Sequence, residues 1–391
     1  NKKGLSNDMF LEWANLVMSK VDKKIKDLKK NTKFTIVKQV LKDPNVIAYL
    51  KELQSKYVMS PIDKAASNTA FICKKYYVDV ILKELGIASI PSNTYKIINK
   101  PVSDILDEQK NVLKNVFNIK NKDEEDNCLP TIYWLPKMHK NPSGARFIIA
   151  GKKCINKKLT QYITSVFKLC FNQFESYHKK MHYHTWTKTF WVIQNNNSPL
   201  ESIQKINKRN NAKQISTFDF STLYTKIPHD ELLEVLYNIV DFVFKGGTRD
   251  VISIDRLGNP SWSTCKKGHT YYFTKSSLKE AITFILKNCY FSFGNISLRQ
   301  IIGIHMGSDP APFFANLFLA FYEIRWINDQ CKLGVINTCK LDNTFRFIDD
   351  LLSLNDDSIF ESSYNSIYPT EMELEKENST DRKSTRLNSS H

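Results

Sequence analysis

Leu278, Ala281, Ile282, Ile285, Leu286 and Cys289 recur at the three- and four-residue spacing of one helix face. They follow Ser277-Leu278-Lys279-Glu280, which has the form of a capping box. The same periodicity predicts helix from Leu159 to Phe174 and from Pro228-His229-Asp230-Glu231 to about Phe244. Pro310 to Trp326 reads as an apolar helix. Short apolar runs bounded by turn residues predict strands instead. Thr131 to Lys137 and Ala145 to Ala150 flank the turn Asn141-Pro142-Ser143-Gly144, and Ile215–Phe220 stands alone. Tyr290–Phe293 and Ile296–Leu298 form a hairpin about Gly294-Asn295, and Thr344–Leu354 forms a second. Leu257-Gly258-Asn259-Pro260 marks a turn, and residues 303–309 a loop. Residues 1–130 read as mostly helical and Lys-rich, with a strand-like stretch at Thr69–Cys73. Helices together with antiparallel hairpins make this an α+β chain.

At 391 residues, 42% apolar and 25% charged, the chain can bury a sizeable core in two or three lobes. Its net charge of +16 is uneven. Lys152–Lys213 holds 12 Lys/Arg against 2 acidic residues, and the first sixty residues hold 13 Lys against 6. Cations interleaved with Tyr, Trp and Phe suit a phosphate backbone and stacked bases. The eight cysteines form no Cys-x-x-Cys pair, which suits reduced intracellular thiols rather than a disulfide frame or zinc site. His178 and His182 have metal-like spacing near Glu175 and His184, yet no paired cysteine completes a zinc finger. No apolar run approaches the length of a membrane span, so no membrane partner is expected.

Against this apolar pattern, two runs stand out. Asp219 sits inside Phe218-Asp219-Phe220-Ser221-Thr222-Leu223-Tyr224, and Asp349-Asp350 inside Arg346-Phe347-Ile348-Asp349-Asp350-Leu351-Leu352. Carboxylates amid hydrophobic strands are costly unless a cation compensates them. Nucleotidyl transfer supplies one, because two Mg²⁺ ions clamp the attacking and leaving oxygens of an in-line displacement. Hard carboxylate oxygens suit Mg²⁺, which also keeps substrate phosphates in its shell.

The order of motifs resembles the fingers and palm of reverse transcriptases, and specifically Penelope-like retroelements. The matching pieces are Leu135-Pro136-Lys137-Met138-His139-Lys140, the Asp219 run, Met306-Gly307-Ser308 and Phe347-Ile348-Asp349-Asp350, with Pro61-Ile62-Asp63-Lys64 upstream. The resemblance spans roughly residues 55–379 and implies a right-hand polymerase with an antiparallel palm sheet packed on helices. It implies RNA-directed DNA synthesis with two Mg²⁺ ions, dNTP substrates, an RNA template and a DNA primer. Asp219 and Asp349 would be the main metal ligands, Asp350 a weaker one, and the Phe220 carbonyl would complete the shell. Arg146 would grip the triphosphate with its fixed fork, beside Lys137 as a point charge. Met306 and Gly307 would face the nucleotide, Gly307 letting the backbone approach the nascent base pair. Tyr224 would be the sugar gate, disfavouring ribonucleotides and so an RNA-dependent RNA polymerase. Its competing reading is a palm-core aromatic, and that of Arg146 and Lys137 a surface cation.

Residues 1–130 are then a basic region leading into the fingers, 131–214 the fingers, and 215–380 the palm with inserted finger elements at about 245–300. The start at Asn1 and the short stretch after Leu351 imply a fragment without primer grip, thumb or C-terminal nuclease. Residues 381–391 (DRKSTRLNSSH) read as a translated sequencing adapter. A retroelement source implies an intracellular, nuclear site of action for target-primed integration; oligomeric state stays open. The pattern departs from the family at Ala65, Phe147, His305 and Asp309. With the missing thumb, this leaves a rival reading, a nucleic-acid-binding remnant without turnover.

Overall fold

The computed structural model describes residues 7–31, 43–88, 90–119, 128–138, 144–245, 251–264, 271–334 and 336–377. The 121–127 linker, His139, Lys140, Cys265 and the 381–391 tail fall outside them. The chain divides into two compact units, Asn1–Val78 and Asp79–His391. In the first, helices α1 (Asn7–Asn31) and α2 (Pro44–Lys56) precede an antiparallel hairpin, β1 (Tyr57–Ile62) with β2 (Ala65–Cys73). The mostly helical character expected of 1–130 holds among its described residues, and β2 contains the strand-like stretch at Thr69–Cys73; what the pattern did not give is its partner β1. The hairpin's Asp63-Lys64 turn carries a left-handed Lys64 at φ 65°, a local signal that periodicity does not read. Helix α3 (Lys74–Glu84) crosses the division.

In the second unit follow β3 (Tyr95–Ile97), α4 (Val102–Asn115), β4 (Thr131–Lys137), β5 (Gly144–Ala150), α5 (Lys157–Thr185) and α6 (Asn197–Lys208). Next come β6 (Ile215–Phe220), α7 (Leu223–Lys226), α8 (His229–Phe244), β7 (Val251–Ile254), β8 (Pro260–Ser263) and β9 (Tyr271–Thr274). The chain continues through α9 (Lys275–Lys287), β10 (Tyr290–Phe293), β11 (Ile296–Gln300), α10 (Ala311–Leu333) and a 3₁₀ turn (Thr338–Asn343). It ends in β12 (Thr344–Phe347), β13 (Asp350–Leu354), α11 (Ile359–Ile367) and β14 (Leu374–Lys376).

Three sheets organise these elements. The fingers sheet has the order β3-β11-β10-β4-β5, antiparallel except where β10 meets β4. A small sheet, β8-β7-β9, lies within the inserted stretch. The palm sheet has the order β12-β13-β6-β14, all antiparallel. Its β-α-β-β-α-β succession is the split βαβ arrangement, which puts β6 between two partners. The stretch after Leu351 thus completes this four-stranded palm through α11 and β14.

One apolar core lies under the palm. Helix α10 is buried nearly all round, through Phe314, Ala315, Leu317, Phe318, Leu319 and Ala320, as expected of a central helix. Helices α5, α8 and α9 pack about it with Phe167, Leu236 and Ile282 fully buried. The apolar stripe read from Leu278 to Cys289 is buried throughout. Its cap lies three residues earlier than Ser277-Glu280 predicts. Thr274 accepts from the Ser277 amide at 3.2 Å, and Ser277 Oγ accepts from the Thr274 amide at 2.9 Å. Serine replaces the usual Glu/Gln at the reciprocal position, so the pattern pointed one turn too late.

Candidate active site

Strand β6 alternates between core and open face. Phe218 and Phe220 point down onto Phe360 and Tyr368, which makes Asp219 an open-face residue. The register then sets Asp350 directly opposite Asp219. The Phe220 amide donates to the Asp349 carbonyl at 3.2 Å, so the two aspartates form a non-hydrogen-bonded pair, the closer kind, with Cα atoms about 4.5 Å apart. On β6's other edge Glu375 faces Asp219, and beyond Asp350 stands Phe347, 44% exposed. Phe347, Asp350, Asp219 and Glu375 therefore form one row across four strands.

Asp349 occupies the tight turn between β12 and β13, just after Ile348 in the left-handed region at φ 57°. A β-branched residue there is a backbone outlier. It is held from below: Arg346 Nη1 donates to the Ile348 carbonyl at 3.0 Å and to Asn316 Oδ1 at 2.8 Å. Arg346 and Glu323 are both fully buried and paired, with Nη2 to Oε2 at 3.2 Å, and the Tyr368 hydroxyl donates to Glu323 at 2.8 Å. The strand edge is closed by Trp191, whose carbonyl accepts from the Arg346 amide at 2.9 Å.

Tyr224, on α7, is half-buried against the core. Burial pushes its hydroxyl up to about 12; the Asp349 charge adds to the rise and Arg146 opposes it. Tyr224 thus lies within reach of both the Asp349 and the Arg146 charge. Arg146 lies on the open face of β5, and Lys137 on the same face of β4: Leu135 pairs with Arg146, and Lys137 with Gly144. The two fingers cations share a face, two residues apart along the ladder.

The 303–309 loop is tied to both Tyr224 and β5. Its Ile304 amide donates to the Tyr224 carbonyl at 2.7 Å and its Gly303 amide to Ile227 at 2.8 Å. His229 Nε2 donates to the Gly303 carbonyl at 2.7 Å. Met306 is 42% exposed. A Cβ on Gly307 would lie 2.0 Å from the Ile149 carbonyl oxygen. The close approach that Gly307 permits in this structure is therefore to β5, the strand that carries Arg146.

Two departures from the family pattern are accommodated. Asp309 accepts from Lys157 Nζ at 2.7 and 2.9 Å and from Thr160 Oγ1 at 2.8 Å, tethering the loop to α5. His305 is buried and held down to about 4 by desolvation, so it is neutral near pH 7. His178 is a packing histidine, bonded through Nδ1 to Thr189 at 2.8 Å and stacked on Phe190.

Among the described residues no three His, Cys, Asp or Glu side chains are arranged to hold one metal ion, and the Asp219 cluster is no exception. It brings two like charges face to face, an arrangement that is unfavourable without a cation. Its donors are hard oxygens, the chemistry Mg²⁺ takes with substrate phosphates completing the shell. The residues fit a metal shared with substrate. Sequence reading missed Glu375, whose signal is the strand pairing of β14, and the support role of Arg346, a cation inside an apolar run.

No protein-family model matches the chain, and no curated protein matches it. Solved structures do. The telomerase of Candida albicans, in complex with a TWJ fragment of telomeric RNA, aligns with TM-score 0.55 at 12% identity over 86% of this chain and 52% of that one. Apo telomerase from Candida tropicalis aligns with TM-score 0.56 at 10% identity over 90% of this chain and 58% of that one. The chain spans somewhat over half the length of these structures. At such identities the likeness speaks for architecture alone, and this chain has a reverse-transcriptase-like polymerase fold of fingers and palm.

Proposed function

We propose that the chain is the fingers and palm of an RNA-directed DNA polymerase. The observation that carries this reading is the Asp219–Asp350 pair on the central palm strands, beside the turn that holds Asp349, whose charge acts with that of Arg146 on Tyr224. Asp219 and Asp349, with Asp350 and the Phe220 carbonyl, would hold Mg²⁺, which supplies Lewis-acid stabilisation of the phosphoryl oxygens. Arg146 and Lys137 would bind and orient the triphosphate. Tyr224 would exclude a ribose 2′-hydroxyl, favouring deoxynucleotides over the ribonucleotides of an RNA polymerase. The ordered motifs favour a retroelement source of the Penelope-like kind, copying an RNA template from a DNA primer in the nucleus.

The test is extension of a labelled DNA primer on an RNA template with dNTPs and Mg²⁺, beside Asp219→Asn and Asp349→Asn. Extension by the parent and none by either variant supports the reading. Binding of primer–template without extension in any of the three makes the chain a non-catalytic binding remnant.

A further inference from the structure

Helix α5 carries a surface that the carboxylate site does not use. It is 29 residues long, roughly 43 Å at 1.5 Å per residue. At one end Lys157 is tied to Asp309 in the site loop. The other end is a basic, aromatic run, Tyr177-His178-Lys179-Lys180-Met181-His182-Tyr183-His184-Thr185-Trp186. His178 faces inward. Tyr183 and Trp186 face solvent, 78% and 76% exposed. Trp is usually well buried. Trp186 is also in the left-handed conformation, φ 57°, closing the helix where glycine is the usual occupant. A bulky ring is thus kept outside the core, on a backbone that strains to hold it.

Helical spacing aligns the outer face. Lys158, Lys168, Lys180 and Tyr183 fall within one side of the cylinder, and all are exposed, with the exposed Trp186 following at the helix end. Lys179 joins them, 71% exposed although its Nζ reaches Glu175 at 2.8 Å. Among the described residues of this helix no exposed position is acidic. A cationic track ending in two open rings matches phosphates in sequence and then stacked bases, the two features by which single strands are bound without sequence readout. A second copy of this chain docked on the same face would set these cations against like charge.

We infer that the outer face of α5 is a binding track for single-stranded nucleic acid, running from beside the 303–309 loop to a base-stacking platform at Tyr183 and Trp186. Its use as a guide for template or product strand rests on the polymerase reading; the binding itself does not.

The experiment uses the full chain and a fluorescein-labelled 15-nucleotide oligouridylate, read by anisotropy across a salt series. Trp186→Gly removes the ring while installing the residue that the backbone conformation favours, so it preserves the fold; Tyr183→Ser is exposed. Together they should weaken binding roughly tenfold or more. Lys168→Gln with Lys180→Gln should reduce the magnitude of the log–log salt slope by about 1.4, at roughly 0.7 per phosphate of a single strand. Parent-like affinity and slope in both double variants overturn the proposal. So does sedimentation showing that Trp186→Gly and Tyr183→Ser instead dissociate a dimer, which would make the face a protein interface. Primer extension is scored separately: a parent that binds through this face but never extends a primer loses the polymerase reading and keeps the track.

Discussion

Asp219 and Asp350 stand opposite each other as a non-hydrogen-bonded pair on β6 and β13. Like charges so placed repel by roughly 0.2–1 kcal/mol. Asp219→Asn should therefore raise the melting temperature of the metal-free protein slightly. Mg²⁺ should stabilise the parent and leave the variant unmoved, because a ligand that binds only the folded state shifts its melting point. Calorimetry with and without Mg²⁺ checks both signs; equal Mg²⁺ shifts in the two proteins would remove Asp219 from the metal site.

Tyr224→Ala or Tyr224→Val should admit ribonucleotides while dNTP use persists. The substitution leaves the backbone carbonyl that anchors Ile304 in place. Removing one steric block is worth about 1–3 kcal/mol of discrimination, ten- to a hundredfold. Parallel dNTP and rNTP incorporation measures it, and an unchanged preference would return Tyr224 to the role of a packing ring.

Arg346 and Glu323 are each fully buried. Breaking such a pair from one side leaves an uncompensated charge, a loss of about 3–5 kcal/mol, whereas apolar replacement of both is far milder. Arg346→Met alone should melt much earlier than Arg346→Met with Glu323→Leu. Denaturant titration of the set gives the coupling, and additive losses would contradict it.

Gly307→Ala should be poorly tolerated, since the added carbon would meet the Ile149 carbonyl oxygen at 2.0 Å. Overpacking of this kind costs about 1–3 kcal/mol and would displace the loop from β5. Gly144→Ala is the control, meeting only the Lys137 side chain, at 3.7 Å. Thermal melting and primer extension should both fall for the first and hold for the second.

Burial lowers His178 and His305 to about 4 from an ordinary 6.5. Between those values the unfolded chain binds more protons than the folded one, so stability falls as pH drops from about 6.5 towards 4. Melting curves at pH 7, 6 and 5 should show this, and His178→Gln should flatten part of the slope.

Much of this architecture was legible because the carboxylates interrupt apolar strands. The Asp219 strand, both hairpins and the α9 stripe follow directly from period-two and helical patterning. What escaped prediction depends on partners distant in sequence. Strand β14 is three residues long and has meaning only beside β6, so Glu375 carried no signal of its own. Asp309 read as a departure from a pattern, because its partners Lys157 and Thr160 lie some 150 residues upstream. The Tyr57–Ile62 strand was masked by a preceding helix that runs straight into it.

The central position of β6 also dictates when the site can exist. Its two edges are filled by β13 and β14, so Asp219 waits for Asp350 and then for Glu375, 156 residues later in the chain. Contacts of such long range close slowly, because a large loop must be ordered before any pairing rewards it. During synthesis the fingers sheet has its last strand by Gln300, while the palm sheet still lacks three of its four. The fingers sheet can therefore close first and the carboxylate row last, which makes the row the latest part of the fold to take shape.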